Sequence, residues 1–175
     1  MVSYPKDITT TCPHCGRYTY QVHMNANTTQ GFTMGNCSYC HHQGTVEYQN
    51  DSFDTVFCLL ALQMLKNVEP LMKEIARVGK EAVVSFPNFA YWRNLETLNK
   101  KCRMPVSDEL PFEWYDSPNL RFATMLDFEE LADRVGFEIL DRVVLHEGEV
   151  VVDNPYRNGS LAVYRLQKKM AVPHK

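Results

Sequence analysis

The sequence predicts an α/β protein built from two unlike parts, residues 1–50 and residues 51–175. Two Cys-x-x-Cys pairs lie in the first part, which is poor in Leu, Ile and charged residues. In the second part, two continuous apolar runs flank a segment with helical periodicity, the pattern of a β-α-β unit with parallel strands. We therefore expect a small, metal-bound β module followed by a mixed sheet with helices.

The cysteine pairs are Cys12 with Cys15 and Cys37 with Cys40. A tight turn, helped at the first pair by Gly16, can bring two thiolates at this spacing onto one tetrahedral ion. Two such pairs leave no open coordination position, which predicts a structural zinc rather than a catalytic one. Unrelated reduced thiols are the alternative, and a redox role is less favoured because neither pair opens a helix after a buried strand. Three histidines could replace a cysteine as ligand: His14, His41 and His42.

The rest of residues 1–50 fits a zinc ribbon. Short alternating stretches at residues 17–24 and 44–48 follow the two cysteine pairs and suit small β-strands, and residues 25–31 form a loop. A segment with so few apolar residues cannot fold alone, so the metal would have to supply much of its stability.

The charge pattern argues against nucleic acid and membranes as partners. The formal net charge of the chain is -3, and in residues 1–50 only Lys6 and Arg17 oppose Asp7 and Glu47, which leaves little attraction for phosphate. No apolar run approaches the roughly 20 residues that span a bilayer, and no apolar signal segment follows the first methionine. These features predict a cytoplasmic protein. Four aromatic residues could stack on bases but more simply form the core of the ribbon: Tyr18, Tyr20, Phe32 and Tyr39.

The second part predicts helices and strands joined by short connections. Its first strand is the apolar run at residues 55–60, which fits a strand buried on both faces. A helix over residues 71–79 follows Pro70 and closes at Gly79, and a second buried strand covers residues 81–86. A capped helix and two more strands complete the pattern, at residues 127–137, 139–145 and 160–166.

Three segments of this second part resemble the MetW family, methyltransferase-fold proteins associated with methionine biosynthesis. They are residues 53–56 with the strand after them, residues 77–89 and residues 103–119. The last two are long and unusual enough to be specific, and the similarity extends from about Asp51 to about Leu145. The resemblance implies part of a seven-stranded, Rossmann-like sheet and, as partner, a homoserine O-acyltransferase.

The chain departs from that family where the cofactor S-adenosylmethionine would bind. Methyltransferases of this fold hold it with a glycine-rich strand-to-helix turn and an acidic residue at the end of the next strand. No Gly-x-Gly occurs upstream of Phe53, and the cysteine-rich segment stands where the family's first three strands are expected. The fourth to seventh strands would remain, and binding of S-adenosylmethionine is doubtful. The upstream glycines all lie in ribbon-like sequence: Gly16, Gly31, Gly35 and Gly44.

The resemblance also implies a pocket on the carboxyl side of the sheet, where open α/β sheets gather their binding sites. Aromatic side chains there could bury a small molecule, an aspartate could orient an amine or hydroxyl, and an arginine could bind a carboxylate. The alternative is a tightly packed loop between Pro111 and Pro118. The expected lining residues are Asn88, Trp92, Arg93, Trp114, Tyr115 and Asp116.

Three functions compete on these observations. The favoured one is a non-catalytic accessory module that contacts the acyltransferase, or another copy of itself, through the strand left uncovered, which a partner or the ribbon itself must cover. The second is a methyltransferase acting on a small molecule, with its cofactor wall altered or supplied by a second chain. The third is a nucleic-acid-binding zinc ribbon. A natural fusion and an engineered chimera are both compatible with the sequence.

Overall fold

The computed structural model describes residues 7–10, 15–17, 20–23, 34–41, 43–45 and 48–169. The chain divides into two compact units, Met1–Gln49 and Asn50–Lys175.

The first unit contains an antiparallel sheet of four short strands. Strand β2 lies within the predicted stretch 17–24, and β4 overlaps the predicted stretch 44–48. Strands β1 and β3 were not expected, because four residues of mixed polarity carry little periodic signal. The strands pair in the order β1 (Asp7–Thr10), β2 (Tyr20–His23), β3 (Met34–Cys37) and β4 (Gln43–Thr45). Whether this unit is a zinc ribbon stays a prediction.

The second unit alternates strands and helices. Its strands are β5 (Phe53–Leu59), β6 (Gly79–Pro87), β7 (Phe137–His146), β8 (Glu149–Val150) and β9 (Leu161–Lys168). Its helices are α1 (Val68–Val78), α2 (Trp92–Glu96), α3 (Met125–Arg134) and α4 (Pro155–Asn158). A 3-10 turn at Leu62–Met64 precedes α1, and a π-helical turn at Thr97–Lys101 continues α2.

The strands form one mixed sheet in the order β5-β6-β9-β7-β8. Strands β5 and β6 are adjacent and parallel, with Val56 opposite Ala82, as the β-α-β pattern predicted. Strand β9 lies between β6 and β7 and is antiparallel to both. The predicted mixed α/β sheet is therefore confirmed.

Helices α1 and α3 pack on the same face of this sheet. Met72 of α1 and Phe128 of α3 belong to one buried cluster with Phe86 of β6 and Tyr164 of β9. The ring centroids of Phe86 and Phe128 are 4.7 Å apart, and those of Phe128 and Tyr164 are 4.8 Å apart. Apolar residues at every second position of β6 and β9 supply this face, so the core follows the strand period.

The other face of the sheet corrects one expectation. The first strand was predicted to be buried on both faces, but Phe57 is 67% exposed and Leu59 is 51% exposed. Their neighbours on this face include Val83, Val163 and Val143, across four strands of the sheet. A continuous apolar run cannot distinguish a strand covered on both faces from one covered on a single face, which is why the sequence misled here.

Two glycines that close predicted helices have different physical roles. Gly136, after α3, has a φ of 93°, which is the left-handed exit that glycine favours. Gly79 has a φ of -109° and already belongs to β6, so its conformation would suit any residue. A Cβ at Gly79 would lie 2.7 Å from Val56 Cγ2, so glycine is needed there for close packing of β5 on the α1–β6 junction.

Candidate functional site

The carboxyl ends of three strands mark one edge of the sheet. Strands β6 and β7 end there at Pro87 and His146, and β9, which runs the other way, begins there at Leu161. Strand β5 ends at the same edge because it is parallel to β6. Functional groups of an open α/β sheet are expected at this edge.

Asn88 follows β6 at this edge, and its side chain is fully buried. The amide nitrogen donates to the backbone oxygens of Tyr156 at 2.8 Å and Gly159 at 2.9 Å. The amide oxygen accepts from the backbone nitrogen of Ala90 at 3.2 Å. Asn88 thus holds the segment before β9 against the end of β6, and its polar groups are satisfied by the protein itself.

Trp92 and Arg93 form a second group. The Arg93 guanidinium lies 5.3 Å from the Trp92 ring centroid, and its Nη1 lies 3.7 Å from Glu147 Oε1. Tyr91 packs edge-on against Trp92, with ring centroids 5.9 Å apart. Arg93 and Glu147 are both largely exposed, so this pair is screened by solvent and contributes little to stability.

Trp114, Tyr115 and Asp116 form a third group on the long connection between α2 and α3. Trp114 is 74% exposed and Tyr115 is 70% exposed, and their rings meet edge to face at 5.7 Å. A cavity of about 20 Å³ lies beneath this connection, large enough for about one water molecule. Its lining residues are Met104, Pro105, Leu110, Phe112, Trp114, Ser117, Asn119 and Phe122.

The six residues expected to line a pocket are therefore found in three local groups. The contacts among the described side chains join Trp92 to Arg93 and Trp114 to Tyr115, while Asn88 contacts backbone. That all six line one binding pocket stays a prediction.

A hydrogen-bonded relay at the same edge was missed by sequence reasoning. Ser160 Oγ lies 2.5 Å from Glu109 Oε1 and 3.2 Å from His146 Nδ1, and His146 Nε2 lies 3.1 Å from Tyr91 Oη. The Ser160 hydroxyl donates to Glu109, and the two ring nitrogens of His146 face Ser160 and Tyr91, with Glu147 Oε1 also 3.4 Å from Nε2. The four side chains thus form one connected polar network at this edge of the sheet.

The four members of this relay come from four separate stretches of the sequence. Tyr91 precedes α2, Glu109 lies on the α2–α3 connection, His146 ends β7 and Ser160 precedes β9. No local motif links them, so only the sheet order brings them together. The one available signal was His146 at the end of a predicted strand.

A second polar network surrounds Glu129 of α3. Its carboxylate accepts from Tyr164 Oη at 2.8 Å and from Tyr156 Oη at 3.0 Å, and it pairs with Arg142 Nη1 at 2.9 Å. Burial, and then the hydrogen bond to Glu129, raises the pKa of Tyr164 well above its usual range. Tyr164 therefore stays a neutral donor, and the network ties α3 and the segment before β9 to the sheet.

The first unit carries the predicted metal ligands, and the structure describes only part of them. Cys12 and the side chain of Cys37 lie outside the described residues. Among the residues that are described, no group of three or more His, Cys, Asp and Glu side chains could hold a metal ion. The four-cysteine zinc site therefore stays a prediction.

The residue after each cysteine pair has a positive φ. Gly16, after Cys15, has a φ of 73°, and His41, after Cys40, has a φ of 58°. This left-handed region is uncommon for a residue other than glycine, although histidine enters it more readily than most residues. The Arg17 guanidinium lies 3.6 Å from the centroid of the Tyr39 ring, so the two turns lie close together.

No helix in the described part of the chain is both long and apolar enough to cross a membrane.

Comparison with known proteins extends the likeness seen in the sequence. The model of the family "Methionine biosynthesis protein MetW" matches residues 30–166. The match begins upstream of Asp51 and ends beyond Leu145, so it is longer than the sequence analysis expected and takes in Cys37 and Cys40.

A curated relative is the bifunctional methionine biosynthesis protein MetXA/MetW of Rhodopirellula baltica, 35% identical over 136 residues. The matched segment is 75% of this chain and 22% of that protein, so the chain spans under a quarter of the relative's length.

Solved structures give weaker likenesses. An S-adenosylmethionine-dependent methyltransferase of Thermotoga maritima has a TM-score of 0.49 at 19% identity, with 71% of this chain and 59% of that chain covered. The YcgJ protein of Bacillus subtilis has a TM-score of 0.43 at 11% identity, with 72% and 68% covered. The family match spans most of the chain and includes all three segments that carried the resemblance, and the chain therefore belongs to the MetW family.

Proposed function

We propose that this chain is a non-catalytic, accessory member of the MetW family that works by contact with another protein. The observation that carries the proposal is the open side of the second unit. Among the residues that the structure describes, β5 is the edge strand of its sheet, and its side chains Phe57 and Leu59 are exposed. In the methyltransferase fold, cofactor-binding strands would pair beyond this edge. An apolar edge of this kind needs a partner to cover it.

The proposed partner is a homoserine O-acyltransferase of methionine biosynthesis. The name of the Rhodopirellula relative joins MetXA and MetW functions in one protein, and this chain matches a 22% share of it. Fusion of two parts in one protein supports contact between their separate counterparts. A second copy of this chain, paired through β5, is the competing occupant of the edge.

S-adenosylmethionine does not fit the residues present in this chain. The fold would hold it on a glycine turn and an acidic strand end beside β5, and no Gly-x-Gly precedes Phe53 in the sequence. Methyl transfer needs the sulfonium held next to its acceptor, and that positioning supplies much of the rate. The groups at the carboxyl edge, including His146 and Tyr91, could form at most one wall of such a site. We therefore assign no methyl transfer to the chain alone.

The first unit is proposed to be a zinc ribbon whose metal has a structural role and stabilises the fold of this unit. The repeated left-handed turn after Cys15 and after Cys40 supports equal roles for the two pairs. The register also supports it, because Cys37 lies opposite Tyr20, and Tyr20 lies opposite Thr10, two residues before Cys12. The end of the sheet at Tyr20 and Cys37 is therefore the proposed place for the zinc. Zinc there would supply folding energy and no open position for catalysis.

Two measurements test the proposed function. Size-exclusion chromatography of the chain with purified homoserine O-acyltransferase from the same organism should give a joint peak, and separate elution would contradict the proposed partner. Calorimetric titration with S-adenosylmethionine should give no heat of binding at micromolar concentration. Turnover of labelled S-adenosylmethionine by the chain alone would show that it is the enzyme of the competing hypothesis.

A further inference from the structure

We infer that the tip of the α2–α3 connection, residues 112–116, is a docking surface for a protein that presents an apolar groove rimmed by lysine or arginine. The inference rests on the proposed function, which supplies the partner. Three exposed aromatic side chains stand on this tip within four residues: Phe112, Trp114 and Tyr115. Large aromatics in a cluster on an exposed surface are typical of protein-binding hot spots rather than of solvated loops.

The connection that carries this tip is anchored on both sides. Before the tip, Leu110 is buried and Glu109 hydrogen-bonds Ser160 beside β9. After the tip, the backbone nitrogens of Leu120 and Arg121 both donate to the backbone oxygen of Gln63, at 2.7 and 3.0 Å. The segment between these anchors is therefore preorganised, which lowers the entropy lost when a partner binds.

The tip itself has a fixed internal contact. The Trp114 and Tyr115 rings are almost perpendicular, at an interplanar angle of 89°. This edge-to-face arrangement is a favourable one for an aromatic pair. Both rings can thus enter a partner groove as one unit.

The acidic residues near the tip favour a partner with basic side chains. Residues 104–119 contain four acidic residues and no lysine or arginine: Asp108, Glu109, Glu113 and Asp116. Of these, Asp108, Glu113 and Asp116 are exposed and form no ion pair within the part of the chain that the structure describes. Uncompensated carboxylates beside aromatic rings repel nucleic acid and favour a groove with basic side chains at its rim.

A small-molecule site explains the same residues less well. The cavity beneath the connection has a volume of about 20 Å³, whereas ligand pockets measure roughly 300 Å³ or more. Trp114 and Tyr115 turn most of their surface outward, although a substrate pocket would need them to face inward. The geometry fits contact with a surface and not enclosure of a ligand.

The test measures the affinity of purified homoserine O-acyltransferase for the immobilised full-length chain by biolayer interferometry. The double variant W114A/Y115A should weaken binding by about 30-fold or more, as expected for a hot spot. The charge variant E113Q/D116N should weaken it several-fold and flatten its dependence on salt. V152A, which removes another exposed apolar side chain, should bind like the unmodified chain, and circular dichroism should show that all variants are folded.

The outcomes separate this inference from the proposed function. Absence of binding by the unmodified chain would overturn the proposed partner and the docking surface together. Binding that survives W114A/Y115A and is lost in F57A would overturn the docking surface alone and assign recognition to the open face beside β5. A charge variant whose affinity and salt dependence match those of the unmodified chain would refute the basic rim.

Discussion

Replacement of Asn88 by alanine should destabilise the second unit by about 3 kcal/mol. The side chain makes three hydrogen bonds, to Tyr156 O, Gly159 O and Ala90 N, and each contributes about 1 kcal/mol net. Asn88→Asp should cost still more at neutral pH. It keeps the acceptor for Ala90 but places a buried carboxylate oxygen against two carbonyl oxygens in place of the donating amide.

Urea unfolding followed by tryptophan fluorescence measures this effect, because both tryptophans, Trp92 and Trp114, lie in the second unit. Asn158→Ala is a matched control, since its exposed amide makes one hydrogen bond, to Asp153 O, and should cost 1 kcal/mol or less. If Asn88→Ala unfolds within about 1 kcal/mol of the unmodified chain, the anchoring role is wrong.

Elemental analysis should find one zinc per chain, and well under half an equivalent would refute the site. Replacement of any one of the four paired cysteines by serine should unfold the first unit. Glu129→Ala should cost about 3 kcal/mol in urea unfolding, because the buried Tyr164 hydroxyl loses its acceptor, and Glu129→Gln should recover part of this loss. Burial raises the pKa of the Cys58 thiol to about 11, so at pH 8 it is less ionised than a solvated thiol. Iodoacetamide should therefore label exposed Cys102 quickly and Cys58 only after unfolding, and equal rates would contradict the burial.

Local patterns in the sequence were enough to predict the helices and most strands of the second unit. The β-α-β unit was predictable because apolar runs, Pro70 and Gly79 are separated by short distances that allow only adjacent, parallel strands. The capped helix predicted over residues 127–137 is found as Met125–Arg134, and its start was placed too late because the Thr124–Asp127 capping box, with Asp127 N donating to Thr124 Oγ1 at 3.2 Å, was not recognised.

Features that depend on distant contacts were not predictable from the sequence. Whether the outer face at Phe57 is exposed depends on what packs over the sheet. An apolar run in the sequence does not show whether a second layer covers the strand. The relay from Tyr91 to Glu109 joins residues from four stretches that meet only after β9 inserts between β6 and β7. The hydrogen bonds from the Asn88 amide to the segment before β9 were likewise not indicated by the sequence.

The position of β9 has a consequence for how the chain is made. It is the last strand in the described part of the chain, Leu161–Lys168, yet it holds a central place in the sheet, between β6 and β7. While a ribosome is still releasing residues before Leu161, β6 and β7 have no strand to join them, and their apolar surfaces are open to other chains. The second unit can therefore close only after translation has passed Lys168, and a partner or chaperone that shields β6 during that interval would raise the yield of folded protein.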